Sequence, residues 1–183
     1  MRLEFIAAIA VVSMVIVVVI WAITTANRFK TLLVKIAEAD SGIDVALTKR
    51  YDTLTKLIDV VRSYARHETE TMGKLVELRA GMRMAEKAEL SGQYDALAQR
   101  LHVIAEAYPQ LNSSENYRQL QAAIVDAEDH LQAARRVYNM NVSSFNQAIA
   151  VFPDSMIANQ AHYTPQEFFA AQESKREDVK ITL

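Results

Sequence analysis

An unbroken apolar run over residues 5–23 constrains this chain more than any other feature. The run is rich in Ile and Val, carries no charge and is interrupted only by Ser13. About 19 residues at ~1.5 Å each span roughly 30 Å, the thickness of the hydrocarbon core of a bilayer. In lipid every backbone N–H and C=O needs an internal partner, and one isolated segment meets that need only as a helix. The run therefore predicts a membrane helix with Phe5, Ile9, Val12, Ile16, Val19, Ile20 and Trp21 facing lipid. A cleaved signal peptide is the competing reading. Its charged leader would be Arg2 alone, offset by Glu4, and Thr24-Thr25-Ala26 is a poor cleavage site. The stretch also exceeds the ~7–15 residue core of a signal peptide. An uncut anchor over residues 1–27 is expected.

Charge on either side of the run predicts its orientation. Arg28, Lys30 and Lys35 follow it closely, against Arg2 and the terminal amine before it. The positive-inside rule then puts the short N-terminus outside and the rest of the chain in the cytoplasm. The net charge of −2, without clustered Lys and Arg, argues against nucleic acid as a partner. The chain has no Cys, which removes disulfides, thiolate metal sites and Cys nucleophiles together.

Only four Gly and three Pro occur in 183 residues, and the first Pro is Pro109. Long helices follow from that scarcity of breakers. Four apolar stripes with three- and four-residue steps support them. The first takes Phe29, Leu32, Ile36, Ala39, Ile43 and Leu47, running straight out of the membrane segment. The second takes Leu54, Leu57, Val61, Tyr64, Met72, Leu75, Leu78 and Met82. The third takes Leu90, Tyr94, Leu97, Leu101, Ile104 and Tyr108, with Ser91-Gly92 near its start. The fourth runs from Tyr117 through Ile124, Leu131, Tyr138, Val142, Phe145 and Ile149 to Phe152. Two successive four-residue steps around Tyr138 make a stutter. Ser113 or Ser114 supplies an N-cap before Glu115, and Pro153 ends the run.

The expected fold is all-α: a single N-terminal transmembrane helix continuing into an antiparallel four-helix bundle of long helices. The bundle occupies residues 28–158, and an aromatic segment and tail occupy 159–183. Lys49-Arg50-Tyr51-Asp52 is the expected hand-over from the first helix to the second. There Lys49 or Arg50 would pair with Asp44 or Asp52 to stabilise a turn; a partner-docking site is the sharper alternative. In an up-and-down bundle the fourth helix returns to the membrane. Phe152, Ile157, Tyr163, Phe168 and Phe169 then become candidates for membrane-surface or partner contact, against the plainer reading that they cap the bundle end. The final residues, 178–183, alternate polar and apolar and are expected to be extended or disordered.

No catalytic constellation emerges. His67-Glu68 opens like a zinc-protease motif, but that motif needs a second His where Thr71 stands. His102, His130 and His162 are scattered, and no Glu has His three residues later, as a bundle di-metal site requires. There is no Gly-rich phosphate loop and no Ser-based signature. The expectation is no cofactor, no metal and no enzymatic activity. Tyr138-Asn139 and Phe145-Asn146 repeat one heptad apart, a spacing that suits Asn side chains fixing register across helices.

The order of motifs resembles the LemA family. The resemblance begins near Asn27 and rests on Ile43-Asp44-Val45 with Leu47, Lys49-Arg50-Tyr51-Asp52 and Tyr64-Ala65-Arg66-His67-Glu68. It continues through Ala105-Glu106-Ala107-Tyr108-Pro109, Leu120-Gln121, Ala134-Arg135 with Tyr138-Asn139, and Phe152-Pro153 with Ile157-Ala158. Members usually carry Trp where this chain has Asp40, and Pro-Asn where it has Thr55-Lys56. Without that Pro the two rods could bend rather than break. The resemblance implies a bacterial cytoplasmic-membrane protein with one transmembrane helix and a cytoplasmic helical bundle. One branch, associated with magnetosome membranes, implies a scaffolding role. The reading is a non-enzymatic, membrane-anchored scaffold, partnered by the lipid bilayer and by further copies of itself. The alternative is an adaptor presenting partners or substrates to another membrane protein.

Overall fold

The computed structural model describes residues 2–65 and 76–170. Among them all regular structure is helical. Helix α1, Arg2–Tyr64, is 63 residues long. No Pro occurs in it, and Gly42 faces open space, so nothing in its sequence interrupts the backbone ladder. Its buried face reads Phe29, Ile36, Ile43, Leu47, Arg50, Leu54, Leu57 and Val61.

That face corrects the hand-over expected at residues 49–52. The turn predicted at Lys49-Arg50-Tyr51-Asp52 is absent, because the first stripe and the start of the second lie on one helix. Arg50 supplies the missing step: 47, 50 and 54 keep the three-four spacing, with a cation standing where an apolar side chain was expected. The backbone also continues through Thr55-Lys56, since neither residue removes a donor. The rest of the second stripe is not helical where it is described. Leu78 and Met82 lie in an irregular stretch that turns at Gly81, whose φ is +80°. Met72 and Leu75 lie outside the described residues, as do 178–183.

Helix α2, Met84–Ala107, starts ahead of the third stripe and runs through Ser91 and Gly92, both buried. The Glu86 carboxylate accepts the Arg83 backbone N–H at 2.6 Å, satisfying a donor at the helix start. The single turn α3, Pro109–Asn112, has Pro at its first position, where a missing N–H is harmless. Helix α4, Glu115–Ala150, is capped by Ser114, whose Oγ accepts the Tyr117 N–H at 3.3 Å. It stops short of Phe152, which is 76% exposed. The short helix α5, Asp154–Gln160, follows, and residues 163–170 are irregular.

The chain divides into two compact units. The first joins Met1–Glu38 to Met140–Glu167. The rings of Phe29, Phe145 and Tyr163 meet edge to face in it, with centroids 5.4–6.5 Å apart. Arg28 pairs with Asp154, and Asn141 Nδ2 donates to the Lys35 carbonyl at 3.0 Å. The second unit joins Ala39–Asn139 to Phe168–Leu183. Its buried side chains include Leu54 and Leu57 from α1, Leu90, Tyr94 and Leu101 from α2, and Ala127 and Leu131 from α4.

Candidate functional site

The longest apolar surface is the start of α1. Its most apolar window has a mean hydropathy of 3.1 and is unburied by the rest of the protein. Phe5, Ile9, Val12, Ile16, Val19 and Ile20 are each about half exposed or more. Trp21 is half-buried, and burial alternates with exposure from there onward. So much contiguous apolar surface is untenable in water, and the helix is long and apolar enough to cross a membrane.

Just past the run, the first unit builds a polar tie. Thr25 Oγ1 donates to Asp154 Oδ1 at 3.4 Å, and the Arg28 guanidinium donates to Asp154 Oδ2 at 3.0 Å. An open pocket of about 340 Å³ lies beside this tie, lined by Arg28, Ser144, Gln147, Ala148, Phe152 and Asp154.

The C-terminal aromatics divide into two groups. Tyr163 packs against Phe29 and Phe145, and Phe169 is 3% exposed with the Arg135 guanidinium 4.5 Å from its ring centroid. Phe152 and Phe168 are exposed, and Ile157 is half-buried.

The two Asn residues spaced one heptad apart bind backbone. Asn146 Nδ2 donates to the Gln166 carbonyl at 3.0 Å, while its Oδ1 accepts the Gln166 N–H at 2.8 Å. In the second unit Asn139 makes the same two bonds with Phe169, at 3.1 and 2.8 Å. Seven helical residues rise ~10 Å, about the reach of three extended residues. A heptad of Asn therefore matches every third backbone unit of an extended chain.

The second unit carries a buried charged seam. Arg50, 3% exposed, donates to Asp95 and to the Ser91 carbonyl, and its Nη1 lies 2.9 Å from Glu128 Oε2. Its Nε is buried without a hydrogen-bond partner among the described residues. Lys87, also 3% exposed, stands 2.5 Å from Asp40 and 2.6 Å from Asp44. Burial alone would lower the Lys87 pKa, but the hydrogen bonds and charges of the two carboxylates outweigh it and hold the pKa above its ordinary value. Lys49 pairs with Asp126 at 2.5 Å, and this holds the Asp126 carboxyl below the usual carboxylate range. The local pairs expected for Lys49 and Arg50 are thus replaced by long-range ones: with no turn at 49–52, both side chains reach α2 or α4 instead.

The sequence reading missed Lys87, Asp95 and Glu128. A signal for Lys87 did exist, since 84, 87, 91 and 94 share one helix face, but a lone Lys on such a face usually snorkels to water. Each of the two buried cations faces two carboxylates, so acidic groups outnumber cations in the seam. Among the described residues no group of three or more His, Asp or Glu could hold a metal ion. His67 and Glu68 lie outside the described residues.

A LemA family model matches residues 39–183, starting later than the motifs near Asn27. Protein LemA of Metamycoplasma hominis is 31% identical over 150 residues, covering 79% of this chain and 68% of that protein. Magnetosome protein MamQ of Magnetospirillum gryphiswaldense is 30% identical over 70 residues, 38% of this chain. Magnetosome protein MamQ 2 of Paramagnetospirillum magneticum is 29% identical over 82 residues, 45% of this chain. The matches span only 26% and 29% of those two magnetosome proteins. None of these names carries an enzymatic activity. With the family match extending over most of its length, the chain belongs to the LemA family.

Proposed function

We propose that this protein is a non-enzymatic, membrane-anchored scaffold. Phe5, Ile9, Val12, Ile16, Val19, Ile20 and Trp21 face lipid in a single span of the bacterial cytoplasmic membrane. The N-terminus lies outside and the helical body in the cytoplasm, where copies associate with one another. One observation carries this reading: α1 passes from exposed apolar residues into the buried positions Thr25 and Phe29 without a break. A helix of that kind couples an anchor to a folded body with no linker between them.

The finer architecture in this reading is an antiparallel bundle in which α4 returns along α1. The first unit supports it: positions 28, 29 and 35 on α1 are matched by 154, 145 and 141, stepping in opposite directions. In the second unit the pairs of 40 and 44 with 87, and of 50 with 91 and 95, advance together. That supports α2 running the same way as α1.

The test is the mass of the nanodisc-solubilised particle, together with crosslinking in native membranes. A defined multimer is expected. Monomers alone, with no partner recovered, would overturn the scaffold; monomers that co-purify with one other membrane protein would favour the adaptor.

A further inference from the structure

We infer that the protein has a second bilayer contact: Val151, Phe152 and Met156 enter the interfacial layer of the membrane that α1 spans. The inference rests on the anchor reading above. It starts from a distance along one helix. The apolar run ends at residue 23, so Thr25 lies about 3 Å beyond it and Arg28 about 7.5 Å. Each headgroup layer adds roughly 5–8 Å to the hydrocarbon core, so both residues fall within that layer. Asp154 is hydrogen-bonded to both Thr25 and Arg28, which puts the start of α5 at the same depth.

The side chains around Asp154 suit that depth. Phe152 is 76% exposed, Val151 61% and Met156 59%. Val151 and Phe152 line one pocket with Arg28 and Asp154, joining apolar contact area to a cation. Aromatic rings beside Arg or Lys are the side chains that settle where headgroups meet acyl chains. The nearby interior has no use for them, because Phe29, Phe145 and Tyr163 already fill it. A second attachment beside the first would fix how the body is rotated about the anchor, which a single helix leaves free.

Trp21 is the only Trp in the chain, so the test can be made on the whole protein. In a Trp21→Phe background, Phe152→Trp and, separately, Met156→Trp report from the exposed knuckle. Each protein is reconstituted in phosphatidylcholine–phosphatidylglycerol vesicles, with lipids brominated either near the headgroup or near the chain end. Both reporters are expected to show blue-shifted emission, to lose most of their intensity to the shallow bromines and little to the deep ones, and to resist aqueous iodide. Quenching by iodide but not by bromine overturns the contact. So does shielding from both quenchers, which would mean that protein covers the knuckle. The unmodified protein separates the two readings: bromine quenching of Trp21 with silent reporters defeats this inference and leaves the anchor standing, whereas an unquenched Trp21 defeats the anchor itself.

Discussion

Arg50 occupies a core position on α1 between Leu47 and Leu54, and Asp95 of α2 receives its guanidinium there. Glu128 of α4 stands on the same guanidinium at 2.9 Å, so one buried cation ties three helices. Buried ion pairs give little net stability against an apolar replacement, but removing one partner strands the others.

Arg50→Ala is accordingly expected to destabilise the detergent-solubilised chain by ~3–5 kcal/mol in chemical denaturation. Arg50→Met, which refills the volume, should lose clearly less. Equal losses for the two would mean that charge, and not packing, is what the position supplies.

Alkaline stability should fall in two linked steps. The Lys87 pKa is raised above its ordinary 10.5, so its stabilisation is complete below that value and is lost as pH climbs through the raised one. The hydroxyl of Tyr94 donates to the Val76 carbonyl at 2.8 Å, and burial pushes its pKa from 10.0 up to about 12. The unfolded chain ionises Tyr94 first, so its contribution also disappears as pH rises from 10 to 12. Ultraviolet titration should show a late tyrosine phase, to which buried Tyr117 also contributes, and Tyr94→Phe should remove its latest component. Lys87→Met should flatten the alkaline limb of the denaturation midpoint.

Asn146→Ala leaves both backbone groups of Gln166 unpaired. Amide exchange at Gln166 should accelerate by roughly tenfold, in line with ~1–2 kcal/mol for lost, partly buried hydrogen bonds. Asn146→Asp keeps the acceptor and loses the donor, so its effect should be intermediate. Unchanged exchange in the Ala variant would show that Tyr163, and not Asn146, holds this segment.

Phe145 is fully buried between Phe29 and Tyr163. Phe145→Ala should cost about 3–5 kcal/mol in the same denaturation assay, the range for emptying an aromatic core position. A loss below ~1 kcal/mol would show that the three-ring cluster is not a core.

The long apolar N-terminal helix, the helical class and most buried positions could be read from the chain alone, because apolar patterning is a local property that neighbouring residues declare. The Asn139 and Asn146 repeat was equally visible, but its partners were not: nothing near either residue points to the backbone of Phe169 or Gln166. Position 50 shows why the turn expected at 49–52 went astray. A cation on an apolar stripe looks like the end of a helix until carboxylates distant in sequence are brought to it, and only folding brings Asp95 and Glu128 to Arg50. The same holds for Phe152 and Phe169, both apolar in sequence, of which the tertiary structure leaves one in the open and covers the other. Periodicity sets which face of a helix is buried; the folded chain decides which charges may join that face, because only there do their countercharges arrive.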